Sequence, residues 1–404
     1  MAVGESPLPR LHPINGVRLA SVSAGIRRPG EQDLVVMALD EGSRTAAVFT
    51  QNRFRAAPVR LAEAHLQTTS PRFLLINTGN ANAGTGAAGD RAANQNCESL
   101  AGLGGCAPEA VIPYSTGVIG EPLAADRIDA ALPAALAALH EDGWAEAADA
   151  IRTTDTRPKG ASMQLDLGDG VVTLTGICKG SGMIRPDMAT MLAYVATDAV
   201  IDQALLRRLL REAVAVSFNR ITVDGDTSTN DACTLVATGA SGIEVASGSH
   251  DERIFAEALT ELCQTLARAI VADGEGASRL LCVRVSGARS EAEAERVAFT
   301  VAESPLVKTA LFAADPNWGR ILAAIGRAGI TDLDVAGVRV GIGDCPIAEG
   351  GALSPQYDEA SVASLMQADE VDLLIDLGRG EAEATVWTCD LSFDYVRINA
   401  EYRT

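Results

Sequence analysis

The sequence predicts an α/β protein in which helices cover layered sheets. Three observations lead there. Short, continuously apolar runs of strand length recur along the chain. Between them lie longer segments whose apolar residues return every three or four positions. Glycine, with 38 residues, clusters at the ends of the strand-like runs. Continuous apolar runs read as strands buried on both faces. Helices with a single apolar stripe are the usual cover for such sheets.

In chain order, residues 34–39 and 73–76 are expected as buried strands, because each is an unbroken apolar run. Residues 124–140 are rich in Ala and Leu and read as a helix, with Pro133 expected to kink or interrupt it. Residues 190–196 read as a third strand. Residues 201–216 place Leu205, Leu206, Leu209, Leu210 and Ala213 on one helical face, and residues 251–271 do the same with Phe255, Leu259, Leu262, Leu266 and Ile270. Residues 280–285 form a further strand. Residues 393–398 look strand-like, and the polar end beyond them either frays or closes over a site.

Composition removes several classes of function. A chain of 404 residues with 47% hydrophobic content is too apolar to be disordered and long enough for one large or two ordinary domains. A net charge of −20 argues against nucleic acid and against anionic lipid, since both are bound through Lys and Arg. No apolar run approaches the ~20 residues that span a bilayer, and the first residues lack the apolar stretch of a signal peptide. A cytoplasmic location is expected. The eight cysteines never form a CxxC pair and read as reduced, mostly buried thiols. The four histidines have no metal-ligand spacing, and their polar or helical settings suggest surface positions. No metal site is expected, and a histidine-based triad has little material.

Chemistry must then come from other groups. Residues 179–192 join two strand-like runs through Gly180, Gly182 and Pro186, and set Thr190 at a strand head after Ala189. If the Ala189–Thr190 bond is cut, the freed α-amine of Thr190 can act as base for its own hydroxyl, with no histidine needed. The plain alternative is a strand threonine after a hairpin loop. In residues 114–120, Thr116 and Gly117 offer a hydroxyl and a backbone N–H suited to an oxyanion, or simply a tight strand-to-helix turn. Residues 218–231 bring Asp224, Asp226 and Asp231 near Asn230, but glycine and the distal Glu are misplaced for a calcium loop, and turn-fixing side chains are the better reading. Residues 315–320 suggest a proline turn followed by a buried Trp318.

Together these segments resemble the ArgJ family, the ornithine acetyltransferases of arginine biosynthesis. The likeness runs through residues 46–58, 77–86, 115–120, 153–158, 179–192, 224–231, 273–276, 315–320 and 399–404, and the Met188-to-Leu192 stretch is its most diagnostic part. The resemblance implies an α-β-β-α sandwich of the self-processing type shared with related aminopeptidases, over residues 1–280, and a smaller α/β domain over 281–404 whose tail returns to the active site. It implies self-cleavage between Ala189 and Thr190, giving chains 1–189 and 190–404, two of each in a heterotetramer. It implies ping-pong transfer of acetyl from N-acetyl-ornithine through Thr190 to glutamate, with Thr116 and Gly117 as oxyanion hole. Carried over by position, the substrate contacts are Thr156, Lys179, Thr190, Glu275, Asn399 and Thr404. No resident cofactor is implied. Some members also use acetyl-CoA, which stands as a candidate co-substrate here. Cys178, Asp187 and Ser278 depart from the expected pattern, and Asp187 is close enough to Thr190 to alter processing. A self-processing amidase that passes the acyl group to water, and a binding protein that merely keeps the fold, are the alternatives.

Overall fold

Residues Leu34–Leu39 are buried at all six positions, as expected of a strand covered on both faces. In the computed structural model, which describes residues 3–4, 7–27, 30–185 and 191–401, that strand lies inside a four-stranded sheet ordered Val17–Val22, Leu34–Leu39, Phe73–Asn80 and Val111–Val118. The last two strands run parallel, so their C-terminal ends, around Asn80 and Val118, emerge together.

A second, five-stranded sheet is ordered Arg44–Phe49, Ala232–Ala237, Leu192–Thr197, Val171–Lys179 and Lys159–Asp166. The two sheets face each other. Leu74, Ile76 and Tyr114 of the first pack with Ile177, Leu192, Tyr194 and Val236 of the second in one core. Tyr114 and Tyr194 meet edge to face, with ring centroids 5.1 Å apart. The Tyr114 hydroxyl crosses to Thr234 Oγ1 at 2.7 Å, which satisfies a polar tip in an apolar layer.

Helices cover both outer faces. Gln203–Ala215 and His250–Ala272 bury their apolar stripes against the second sheet. Gly86–Gly104 and Ala125–Ala137 cover the first. The order of layers is α-β-β-α. Pro133 does not interrupt its helix. It sits on the exposed side, while Ile128, Leu132 and Ala135 keep the buried stripe intact past it. Caps mark helix starts: Asp202 accepts from the Ala204 and Leu205 N–H groups at 2.8 and 3.1 Å.

A third sheet of seven strands centres on Leu280–Ala288, flanked by Glu370–Asp376 and Ala382–Cys389. With helices Glu291–Ala302 and Trp318–Gly326 it forms its own core. Trp318 is half-buried at the start of its helix rather than fully enclosed, because Asn317 caps that helix and leaves the ring at the core's rim. The short strand Ile221–Thr222 joins the third sheet beside Trp387 and Thr388, which ties it to the sandwich.

The end of the chain corrects the sequence reading. Phe393–Glu401 is a helix, not a strand, and none of its residues is buried. Its aromatic residues mimic alternation, but no neighbouring strand is there to pair with it. His65 is a second correction: it is buried, and its Nδ1 lies 2.8 Å from the Val111 carbonyl. It is a satisfied core residue and not a surface one, because the helix Ala57–His65 ends against the first sheet.

Candidate active site

The parallel strands Phe73–Asn80 and Val111–Val118 place Gly79 opposite Gly117. Gly117 has φ +135°, and a Cβ there would stand 2.3 Å from the Gly79 carbonyl carbon. Only glycine allows this approach. Nearby, Asn230 Nδ2 donates to the carbonyls of Ala81 and Ser115 at 2.6 and 2.8 Å. That pair of bonds fastens the loop before Ala232–Ala237 to the ends of the first sheet.

A cavity of about 260 Å³ opens where these ends meet the second sheet. Thr116, Gly117, Lys179, Glu275 and Asn399 all line it, although they lie far apart in sequence. Met191 lines it as well. Thr190, Ala189, Asp187 and Thr404 lie outside the described residues. Thr156 is not among the lining residues: its N–H donates to Asp273 Oδ2 at 3.0 Å and its hydroxyl to Asp273 Oδ1. Thr153 and Thr154, just before it, do line the cavity.

Lys179 closes the strand Val171–Lys179 and points across the sandwich. Its Nζ donates to Thr116 Oγ1 at 3.2 Å. The Thr116 oxygen is then an acceptor, and its own proton is free to serve the cavity. Burial pushes the Lys179 ammonium below its ordinary range, opposed by Asp155, Asp231 and Glu275. Glu275 follows the helix His250–Ala272, and its N–H donates to the Ser181 carbonyl at 3.0 Å. Its Oε2 accepts from Asn399 Nδ2 at 2.7 Å, so the terminal helix reaches the site. A Cβ on Gly182 would meet the Glu275 carboxyl carbon at 2.4 Å, so a larger residue there would displace the acid.

Sequence reasoning missed what lies behind the cavity. Lys159 Nζ sits 2.6 Å from both Asp155 Oδ1 and Asp273 Oδ2, with all three side chains buried. Gly180 N–H donates to the same Asp155 oxygen at 2.7 Å. Burial would raise the Asp155 carboxyl, but Lys159, Lys179 and this N–H outweigh it and hold it well below the usual carboxylate range. The triad thereby anchors the residue next to Lys179. Charged residues in a sequence read as solvated, and Asp273 lies 114 residues from Lys159. The one available signal was that Asp155 and Asp273 fall inside segments already singled out for other reasons.

Asp224 behaves as the turn-fixing reading expected. It accepts from the N–H groups of Met183 and Ile184 at 2.6 and 2.9 Å and from that of Asp226 at 3.1 Å. No group of three or more His, Cys, Asp or Glu side chains placed to hold a metal occurs among the described residues. No described helix is long and apolar enough to cross a membrane. Cys178 is buried, its thiol facing the Leu266 carbonyl at 3.6 Å, and burial pushes that thiol up. Ser278 is tied to Asp390 through its N–H at 2.7 Å.

Chemically, the cavity offers a hydroxyl, a glycine backbone, a buried amine and a carboxylate around one end of residue 191. A model of the ArgJ family matches residues 18–404. The arginine biosynthesis bifunctional protein ArgJ of Pseudomonas fluorescens (strain Pf0-1) is 53% identical over 407 residues, covering 100% of both chains. The protein of the same name from Pseudomonas syringae pv. tomato is 54% identical over 407 residues, again covering 100% of both. Among solved structures, the ornithine acetyltransferase of Mycobacterium tuberculosis complexed with ornithine is 34% identical. That match covers 45% of this chain and 99% of that chain, with a TM-score of 0.42.

Proposed function

The chain belongs to the ArgJ family, and from that premise we propose that it is an acetyltransferase of arginine biosynthesis acting through Thr190. It moves an acetyl group from N2-acetyl-L-ornithine to L-glutamate, giving ornithine and N-acetylglutamate. The observation that carries this reading is the convergence of Thr116, Gly117, Lys179, Glu275 and Asn399 on one cavity bordered by Met191.

The roles proposed rest on the family resemblance, and the lining of the cavity supports those of the described residues. Self-cleavage at Ala189–Thr190 frees the Thr190 amine, which takes the proton of its own hydroxyl. The hydroxyl oxygen attacks the acetyl carbonyl, and the oxyanion accepts hydrogen bonds from the Thr116 hydroxyl and the Gly117 N–H. Ornithine leaves with a proton on its nitrogen, and an acetyl ester remains on Thr190. The glutamate amine then attacks the ester carbonyl, the bond to the Thr190 oxygen breaks, and that oxygen regains a proton from the amine as N-acetylglutamate leaves. Glu275 suits a substrate ammonium, and Lys179 with Thr404 suits carboxylate or acyl oxygens. Thr156 acts here through Asp273 and the buried triad rather than by facing the cavity. Amide-to-ester transfer keeps the acyl bond, so recycling needs no resident cofactor, and acetyl-CoA is a second acyl donor at the same threonine.

The proposal extends to a heterotetramer of two 1–189 and two 190–404 chains, a domain division after residue 280 and a cytoplasmic location. The family assignment does not favour the hydrolase alternative, in which water takes the acyl group. Intact-mass spectrometry of the wild type beside Thr190→Ala tests the core claim. Two masses summing to one chain plus a water in the wild type, and one uncut mass in the variant, are expected. Acetyl release that does not depend on glutamate would overturn transfer in favour of hydrolysis.

A further inference from the structure

The strand Arg44–Phe49 lies at the edge of the second sheet, paired on one side with Ala232–Ala237. The Thr50 N–H donates to the Asp231 carbonyl at 3.0 Å, which fixes the phase of this antiparallel ladder. The even-numbered residues of the strand turn their N–H and C=O groups inward, and Thr45, Ala47 and Phe49 turn theirs to the open edge. Gln203 Nε2 caps the Thr45 carbonyl at 2.9 Å. Among the described residues, nothing pairs with the outward backbone groups of Ala47 and Phe49. The strand also lacks the proline and lysine that commonly guard an edge.

This edge borders a cavity of about 450 Å³, lined by every residue from Thr45 to Phe49. Its walls lie on opposite faces of the sheet. Phe49 and Leu66 belong to the core between the two sheets, whereas Val48 and Leu210 belong to the core beneath the helix Gln203–Ala215. Arg207 and Arg211 of that helix also line the groove, are exposed, and make no ion pair among the described residues. Glu63 lines it too, but Arg55 holds its carboxylate at 2.8 Å. The free charges of the groove are therefore cationic, on a chain whose net charge is −20.

We propose that this groove is a docking site for an extended acidic segment of a partner protein, which adds a strand to Arg44–Phe49 and sets its carboxylates against Arg207 and Arg211. The outward N–H and C=O groups of Ala47 and Phe49 supply the pairing. The two arginines are one helical turn apart, about 6 Å along the axis. Residues two apart on one face of a strand are separated by about 6.7 Å. The segment that fits thus alternates acidic with apolar residues, the acids toward the arginines and the apolar side chains toward Leu66. A second copy of this chain fits less well. Pairing the strand with itself about a two-fold axis puts both Gln203–Ala215 helices on the same face of the joined sheet and opposes their arginines. The proposal concerns a surface apart from the catalytic cavity and does not rest on the reaction assigned there.

Fluorescence anisotropy with the full chain tests it, using labelled Val-Glu-Val-Glu-Val-Glu and Val-Lys-Val-Lys-Val-Lys peptides. The acidic peptide should bind saturably and the lysine peptide should not. The double variant Arg207→Glu, Arg211→Glu should reverse that preference. Ala47→Pro removes one outward N–H without breaking the ladder to Ala232–Ala237, and should weaken the acidic peptide by about tenfold. Absence of saturable binding at about 1 mM acidic peptide overturns the proposal, as does binding that either folded variant keeps. Should Ala47→Pro fail to fold, amide exchange of the wild type decides. The acidic peptide is expected to slow exchange at Ala47 and Phe49, and unchanged exchange there overturns the proposal. A native mass halved by Ala47→Pro overturns it in favour of pairing between copies of this chain.

Discussion

In the proposed reaction Thr116 has two hydrogen-bonding tasks. Its oxygen accepts from Lys179, which leaves its proton for a developing oxyanion. Thr116→Ala should therefore lower kcat of the cleaved enzyme by about 10²–10³-fold, the usual loss for one oxyanion donor, with the melting temperature nearly unchanged. Steady-state kinetics beside thermal unfolding checks both halves. Asp155 offers a different kind of prediction. Its folded-state carboxyl lies below the usual range, so its contribution to stability is full above the unfolded value and falls away as pH drops below about 4. Asp155→Asn should be less stable at neutral pH, and its unfolding temperature should fall less steeply between about pH 5 and pH 2. Parallel slopes for the two proteins would count against this account. At this scale the site was only partly legible. Thr116 and Gly117 could be read from residue type in their glycine-rich segment, and Lys179 and Glu275 through the family resemblance. The Asp155–Lys159–Asp273 triad depends on burial, which a sequence does not display.

The terminal helix Phe393–Glu401 belongs to the site more than to the core. None of its residues is buried, and its anchors are the edge-to-face contact of Phe393 with Phe312 and the bond from Asn399 to Glu275. Ending the chain before Phe393 should leave the unfolding temperature within a few degrees of wild type while activity is lost, because Tyr395 and Asn399 leave the cavity wall. Calorimetry with an activity assay reads the two effects separately, and a large drop in stability would show that the helix is structural. Elements with strong burial were the legible ones. Leu34–Leu39 and Gln203–Ala215 were readable because packing demands the pattern they show. The terminal helix was not, because nothing packs on it firmly enough to impose a period on its residues.

Across the whole molecule, the proposed cut falls in chain order between two paired strands of the second sheet. Val171–Lys179 lies before the cut and pairs with Leu192–Thr197 after it, from Leu174 opposite Thr197 to Lys179 opposite Leu192. At the far side, Arg44–Phe49 pairs with Ala232–Ala237. The sheet thus holds two neighbouring strands of the second piece between strands of the first. The cut protein should elute as one species in native buffer and unfold in one transition, and should separate into its pieces only in denaturant. Gel filtration followed by a denaturing gel tests this, and pieces that elute apart in native buffer would contradict it.

That interleaving has a consequence for how the protein can be watched in a living cell. If the proposed cleavage requires completed pairing of the strands on either side of it, the bond is severed only in molecules that reached the native state. The ratio of cut to uncut chain is then a permanent tally of folding history, written molecule by molecule and not erased by later unfolding. For a variant that folds slowly, a gel lane would show how many copies ever arrived, a quantity that activity and abundance leave mixed together.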